Sequence, residues 1–206
     1  MKKSQNFSEA KSLFISYLGN SFFMTRSTND GDFKKWSSFN VPENLKNQWR
    51  EEYIQDGLRK LEKLKRASEI TLLFSNCIKM LEGLDNTAYI FDFLNIAKAL
   101  VLRIDTWSAE LILNDLLMLS MKEGRYKVIK RIQWIEFFES CLEITNSLLR
   151  ERLTIDSYYI NPPCCFVNIE ELQRRLLCCK DDCLKWLEKA KTSTDEYFYF
   201  DKEMWE

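Results

Sequence analysis

AYIFDFLNIAKALVLRIDTWSAELILNDLLMLSM, residues 88–121, is the most apolar stretch of the chain, and its reading decides the fold. Ile90, Phe91, Leu94, Ala97 and Val101 recur at threes and fours, the spacing of one helical face, and Leu111, Ile112, Leu113, Leu116, Leu117 and Leu119 crowd a second segment on nearly every side. Asp92, Lys98, Arg103, Asp105, Glu110 and Asp115 interrupt the stretch, so it lacks the run of about 18 apolar residues that a membrane span requires. Two helices that are apolar almost all round, in a chain too polar for a bilayer, belong in the middle of a helical bundle. Asp85 is placed to cap the first, and Asp105 or Thr106 the second, which the pattern carries to Gly124; the two can also read as one helix.

Outward from this centre the helical pattern continues in both directions. Pro42 suits a first helical turn, where its missing amide would have no partner in any case. From there Leu45, Trp49, Tyr53, Leu58, Leu61, Leu64, Leu72, Ile78 and Leu81 keep helical spacing out to Gly83, with a bend expected near Gly57 or Ser68. Before it, Asn6 and Glu9 are spaced as a capping box for a first helix whose stripe is Leu13, Phe14, Tyr17 and Leu18. After the centre, Tyr126 to about Leu153 predicts a helix with Val128, Ile132, Ile135, Phe138, Leu142, Thr145 and Leu149 on one face. Asn161, Pro162 and Pro163 break the chain, and Asn168 with Glu171 starts a last helix to about Lys191. The segment Gly19 to Val41 reads as an aromatic loop after helix 1, and Glu196 to Glu206 as a short extended tail. The expectation is an all-α protein, an irregular bundle of about five to seven helices in one domain over residues 1–206.

Composition agrees with this class. Among 206 residues there are 5 Gly and 3 Pro, so helix breakers are scarce, and a formal charge of −1 gives no global attraction to nucleic acid or to an anionic membrane. The opening residues lack the apolar core of a signal peptide, and an odd count of 7 Cys fits free thiols; both lead to the expectation of a cytoplasmic protein. The Lys-, Asn- and Ile-rich usage is of a bacterial type.

The absence of His removes the commonest general base and metal ligand. Ser-His-Asp and Cys-His hydrolases, Glu-x-x-His di-iron bundles and Arg–His ribonucleases are thereby excluded. Carboxylate chemistry survives: Glu136, Glu139 and Glu143 share a helix face, and Glu51, Glu52 and Asp56 are the available second set for a Mg²⁺ site of an all-α enzyme or nucleotide-binding protein. Ordinary solvated surface explains the same residues. Cys164, Cys165, Cys178, Cys179 and Cys183 form a cluster, but only Cys179 and Cys183 approach zinc-knuckle spacing, and both also fall on the apolar stripe of the last helix. Core packing is the favoured reading, with redox chemistry behind it. No cofactor motif is present.

Two features suggest partners. Lys122, Arg125, Lys127, Lys130 and Arg131 make the densest basic run, followed by Arg59, Lys60, Lys63, Lys65 and Arg66; either fits phosphates or an acidic protein, and a neutral chain without a nucleic-acid motif does not favour the former. Phe22, Phe23, Arg26, Phe33, Lys34 and Trp36, in the irregular segment after helix 1, have the composition of a protein-binding hot spot, with capping of the bundle as the plainer explanation. The leading expectation is a non-enzymatic interaction protein of the immunity, antitoxin or adaptor type that binds a protein partner. A carboxylate/Mg²⁺ enzyme and a nucleic-acid binder are the alternatives.

Overall fold

The computed structural model describes residues 7–19, 30–84, 89–120, 129–155 and 168–197. Among these, eight helices follow in order: α1 (Ser8–Ser16), α2 (Asp30–Ser38), α3 (Glu43–Leu61), α4 (Ala67–Leu81), α5 (Tyr89–Leu100), α6 (Thr106–Ser120), α7 (Arg131–Arg150) and α8 (Ile169–Thr192). The chain is an all-α helical bundle, and none of the described helices is long and apolar enough to cross a membrane.

The central segment behaves as its composition requires. α6 packs against α4, α5, α7 and α8, so most of its residues are buried. Asp105 caps it: Oδ1 accepts from the Ser108 amide at 3.1 Å, and Oδ2 from the Ser108 hydroxyl at 2.6 Å. Thr106 and Thr154 then tie this end to the chain leaving α7, each amide donating to the other's hydroxyl at 3.0–3.1 Å. One core joins Ala10, Phe14 and Trp49 at the N-terminal side to Trp186, Leu187 and Ala190 on α8. A smaller cluster of Trp107, Ala109, Ile144, Leu148, Leu172 and Leu176 lies where α6, α7 and α8 meet.

The expected long helix from Pro42 to Gly83 is two helices, and the break falls at residues 62–66, between the two positions expected to bend. α3 and α4 fold back on each other closely enough that a Cβ at Gly57 would collide with Cys77 Sγ. Arg103 takes up carbonyls freed by the break, donating from Nη2 to Leu64 O at 2.6 Å and from Nη1 to Glu62 O at 3.3 Å.

Part of the segment read as an aromatic loop is helical. Gly31 and the Ser residues of α2 give it little intrinsic tendency, and tertiary contacts supply the rest. Trp36 packs its ring on Phe14 with centroids 5.6 Å apart, and Tyr17 donates to Asp32 Oδ2 at 2.8 Å. Residues 20–29 lie outside the described residues, as does Asn6, the expected first cap.

α7 is rotated from its expected face. Phe138 and Thr145 are buried, but Ile132 is 56% exposed, and the core side is set by Trp134, Phe137, Phe138 and Cys141. The three aromatic rings pack on one another with centroids 5.3–5.8 Å apart, in two edge contacts and one stacked pair, and these large apolar side chains take the core side. α8 keeps its expected face: Leu172, Leu176, Cys179, Cys183, Leu187 and Ala190 are buried, and Asn168 Oδ1 accepts from the Glu171 amide at 2.7 Å. The start of the expected tail is extended for a short way, where the Arg131 amide donates to Glu196 O at 2.7 Å and Tyr197 bridges Lys130; its remainder from Phe198 lies outside the described residues.

Candidate functional site

α6 carries two carboxylates into the interior, and they meet different surroundings. Asp115 faces α4, where the Ser75 hydroxyl donates to its Oδ2. Glu110 faces α8 and is 1% exposed. Its only described cation partner is Arg175, whose Nη2 lies 2.9 Å from Glu110 Oε1 and whose guanidinium sits 5.2 Å from the Trp107 ring centroid. This is a single end-on contact rather than a two-pronged one. Glu110 Oε2 and Arg175 Nε are both buried without a hydrogen-bond partner among the described residues.

A buried carboxylate paired end-on with a part-exposed guanidinium, with one buried acceptor and one buried donor left over, is poorly compensated for the water it has lost. Burial accordingly pushes the Glu110 carboxyl above its usual range, with the Arg175 hydrogen bond and charge acting against that rise and Asp115 and Glu171 adding to it.

The pair forms part of the wall of an open cleft of about 310 Å³ between α6 and α8. From α6, Asn114, Leu117 and Met118 join Glu110; from α8, Cys178, Cys179 and Asp182 join Arg174 and Arg175. Met118 is 52% exposed, a large apolar side chain that the bundle leaves at the cleft, and Cys178 is exposed as well. Asp182 is exposed at the cleft edge; partial desolvation raises its carboxyl, Lys185 lowers it in part and Asp181 adds to the rise. Arg174 is already engaged, donating from Nε and Nη2 to the two oxygens of Glu171 at 2.8 and 2.6 Å. Cys179 is no nucleophile here, because burial pushes its thiol up to about 12.

The residues singled out from sequence are dispersed. Phe22, Phe23, Arg26, Lys122, Arg125, Lys127, Cys164 and Cys165 lie outside the described residues. Phe33 and Lys34 are on α2, with Lys34 exposed, while Trp36 turns its ring to Phe14 and takes Lys46 Nζ at 5.9 Å from its centroid. Lys130 pairs with Glu196 at 3.2 Å, and Arg131 donates weakly to Ala190 O at 3.4 Å, so these two cations tie the start of α7 to the last turn of α8 and to Glu196.

Glu136, Glu139 and Glu143 are exposed. Glu139 and Glu143 border a shallow groove of about 570 Å³ between α7 and α8, where Lys191 holds Glu139 at 2.7 Å. On α3, Glu52 is held by Lys11 and Asp56 by Lys60 at 2.6 Å. Among the described residues no three Cys, Asp or Glu side chains converge as a metal site would need. Cys179 and Cys183 are core residues, as their stripe implied.

Sequence reasoning passed over Glu110, although the signal was present: a carboxylate in the most apolar stretch of the chain has to be paired, titrated or used. Its partner Arg175 lies 65 residues away on a helix whose charged residues look alike in sequence. Comparison with protein-family models, curated proteins and solved structures finds no match, so the geometry alone carries the functional reading.

Proposed function

We propose that this chain is a non-enzymatic protein-interaction module, of the immunity, antitoxin or adaptor type and acting in a bacterial cytoplasm, and that the α6–α8 cleft is its docking face. One observation carries this reading. Met118 and Cys178 stand exposed at the rim of a cleft whose wall holds the incompletely satisfied Glu110–Arg175 pair. Met and Arg are enriched at protein interfaces, and Arg is among the residues that anchor their hot spots. The acidic faces of α3 and α7 favour an enzyme less, since Glu136, Glu139 and Glu143 are exposed and Glu52, Asp56 and Glu139 are held by lysines. The described part of the basic run favours nucleic acid less, since Lys130 and Arg131 are taken up by the chain's own C-terminal residues.

Panning a random-peptide phage library against the folded chain tests the reading. Peptides selected on the parent are expected to bind Met118→Asp at least about tenfold more weakly, the loss typical of a hot-spot residue, with its melting temperature unchanged. Selected peptides that bind Met118→Asp as well as the parent would overturn the assignment of the face.

A further inference from the structure

Resting on that reading, we infer that the cleft accepts a Lys or Arg side chain of the protein partner, its stem lying along Met118 and Leu117 and its cationic head reaching Glu110 and Asp182. The hydrogen bonding in the cleft is incomplete among the described residues. Arg174 is committed to Glu171 through both of its bonds. Arg175 meets only Oε1 of Glu110, leaving Oε2 buried without a partner among the described residues. Asp182 stands on the same wall, one helical turn beyond Cys178. Lys185, on the same helix, faces Asp182, so the acceptor the cleft leaves without a donor among the described residues is Glu110 Oε2, and the group that completes it is a cation with several N–H donors, Asp182 at the cleft edge adding to the attraction.

The rest of the wall suits the stem of such a side chain. Leu117, Met118, Cys178 and Cys179 are apolar or weakly polar, and a Lys or Arg chain covers apolar surface while delivering its charge at the tip. Glu110 Oε2 is buried, so the head reaches it only as the wall gives way, and Arg175, its side chain 30% exposed, has solvent to move into. An anion would fit badly. The buried Arg175 Nε is a donor, but any anion on it shares the cleft with the carboxylates of Glu110 and Asp182.

Methyl NMR of the chain labelled at its 6 Met residues, with Met118 assigned through Met118→Leu, tests the inference. The probes are the capped tripeptides acetyl-Gly-Lys-Gly-amide and its norleucine and glutamate counterparts. The lysine peptide is expected to move the Met118 resonance saturably, the other two to leave it in place, and Asp182→Asn to weaken the lysine peptide at least about fivefold with its amide spectrum intact. Equal movement with norleucine would overturn the cation while leaving the apolar docking face standing. Movement with glutamate in preference to lysine would reverse the sign of the site, and no movement with any peptide would overturn both the inference and the docking face.

Discussion

Replacing Arg175 by Met removes the cation from Glu110 while keeping an apolar stem beside Trp107. At the observed 2.9 Å and an effective dielectric of about 20, the gross attraction in the pair is about 6 kcal/mol. Desolvation of the buried carboxylate costs several kcal/mol and that of the part-exposed guanidinium less, which offsets most of that attraction and leaves the intact pair little net stability. The loss in Arg175→Met comes from the carboxylate left behind, and for a buried pair broken on one side that is about 3–5 kcal/mol. Glu110 can escape the penalty by taking up a proton. Burial already raises its folded pKa above the ordinary value of 4.5, and removing Arg175 takes away the group that most opposes that rise.

The sign follows from linkage. A carboxyl raised in the folded state favours folding when protonated; that contribution is complete below 4.5 and is lost as pH climbs through the raised folded value. Arg175→Met is therefore expected to cost little at about pH 4 and the full amount at about pH 8. Urea unfolding followed by helical ellipticity at both pH values measures the difference. Carboxylates held low in the fold, such as Glu43 beside Arg50 and Glu52 beside Lys11, destabilise parent and variant alike in acid and cancel. A companion variant, Glu110→Leu with Arg175→Met, is expected to match the parent or exceed it at about pH 8, since both ions are gone. An equal loss at the two pH values, or one under about 1 kcal/mol at the higher pH, would refute the account of the pair.

Two further outcomes follow from packing. Gly57→Ala drives a methyl into Cys77 Sγ and is expected to lower stability by about 1–3 kcal/mol despite the better helix propensity of Ala; adding Cys77→Ala should recover much of this in thermal unfolding. In native-state alkylation mapped by peptide, Cys178 is expected to react and Cys77, Cys141, Cys179 and Cys183 only after denaturation, because burial pushes Cys77 and Cys179 up to about 12 and raises the other two as well. Native labelling of Cys179 would show that the cleft opens far more widely than the described geometry allows.

What could be read from the sequence was whatever repeats locally. The stripe of α8, the Asn168 cap and the burial of α6 each depend on residues within a few turns of one another, where helical spacing is informative. The reading failed where a distant partner decides. α2 exists because Phe14 and Tyr17 receive Trp36 and Asp32, which no propensity within Asp30–Ser38 reports. The face of α7 is set by Trp134, Phe137 and Phe138 stacking together; a seven-residue repeat of aliphatics gave Ile132 the same weight as Phe138. The break between α3 and α4 turns on Arg103, about 40 residues on, whose guanidinium holds the carbonyls a continuous helix would have used.

The candidate site shows the same division in a sharper form. Exposed acids on α7 and cations near its start drew the chemical hypotheses because like charges stood together in sequence, yet such charges are the ones water already satisfies. Glu110 stood alone among Leu, Ile and Ala, and isolation in an apolar helix is what makes a charge consequential: it has to be desolvated on folding, and its compensation must come from another element. α8 supplies that compensation only in part, with one bond from Arg175 and none to Oε2 among the described residues. A bundle selected for stability alone would do better with two apolar residues at these positions. A half-satisfied pair lining the same cleft as an exposed Met118 makes physical sense when a partner's cation completes it, with binding strength and docking register then supplied by the same buried carboxylate.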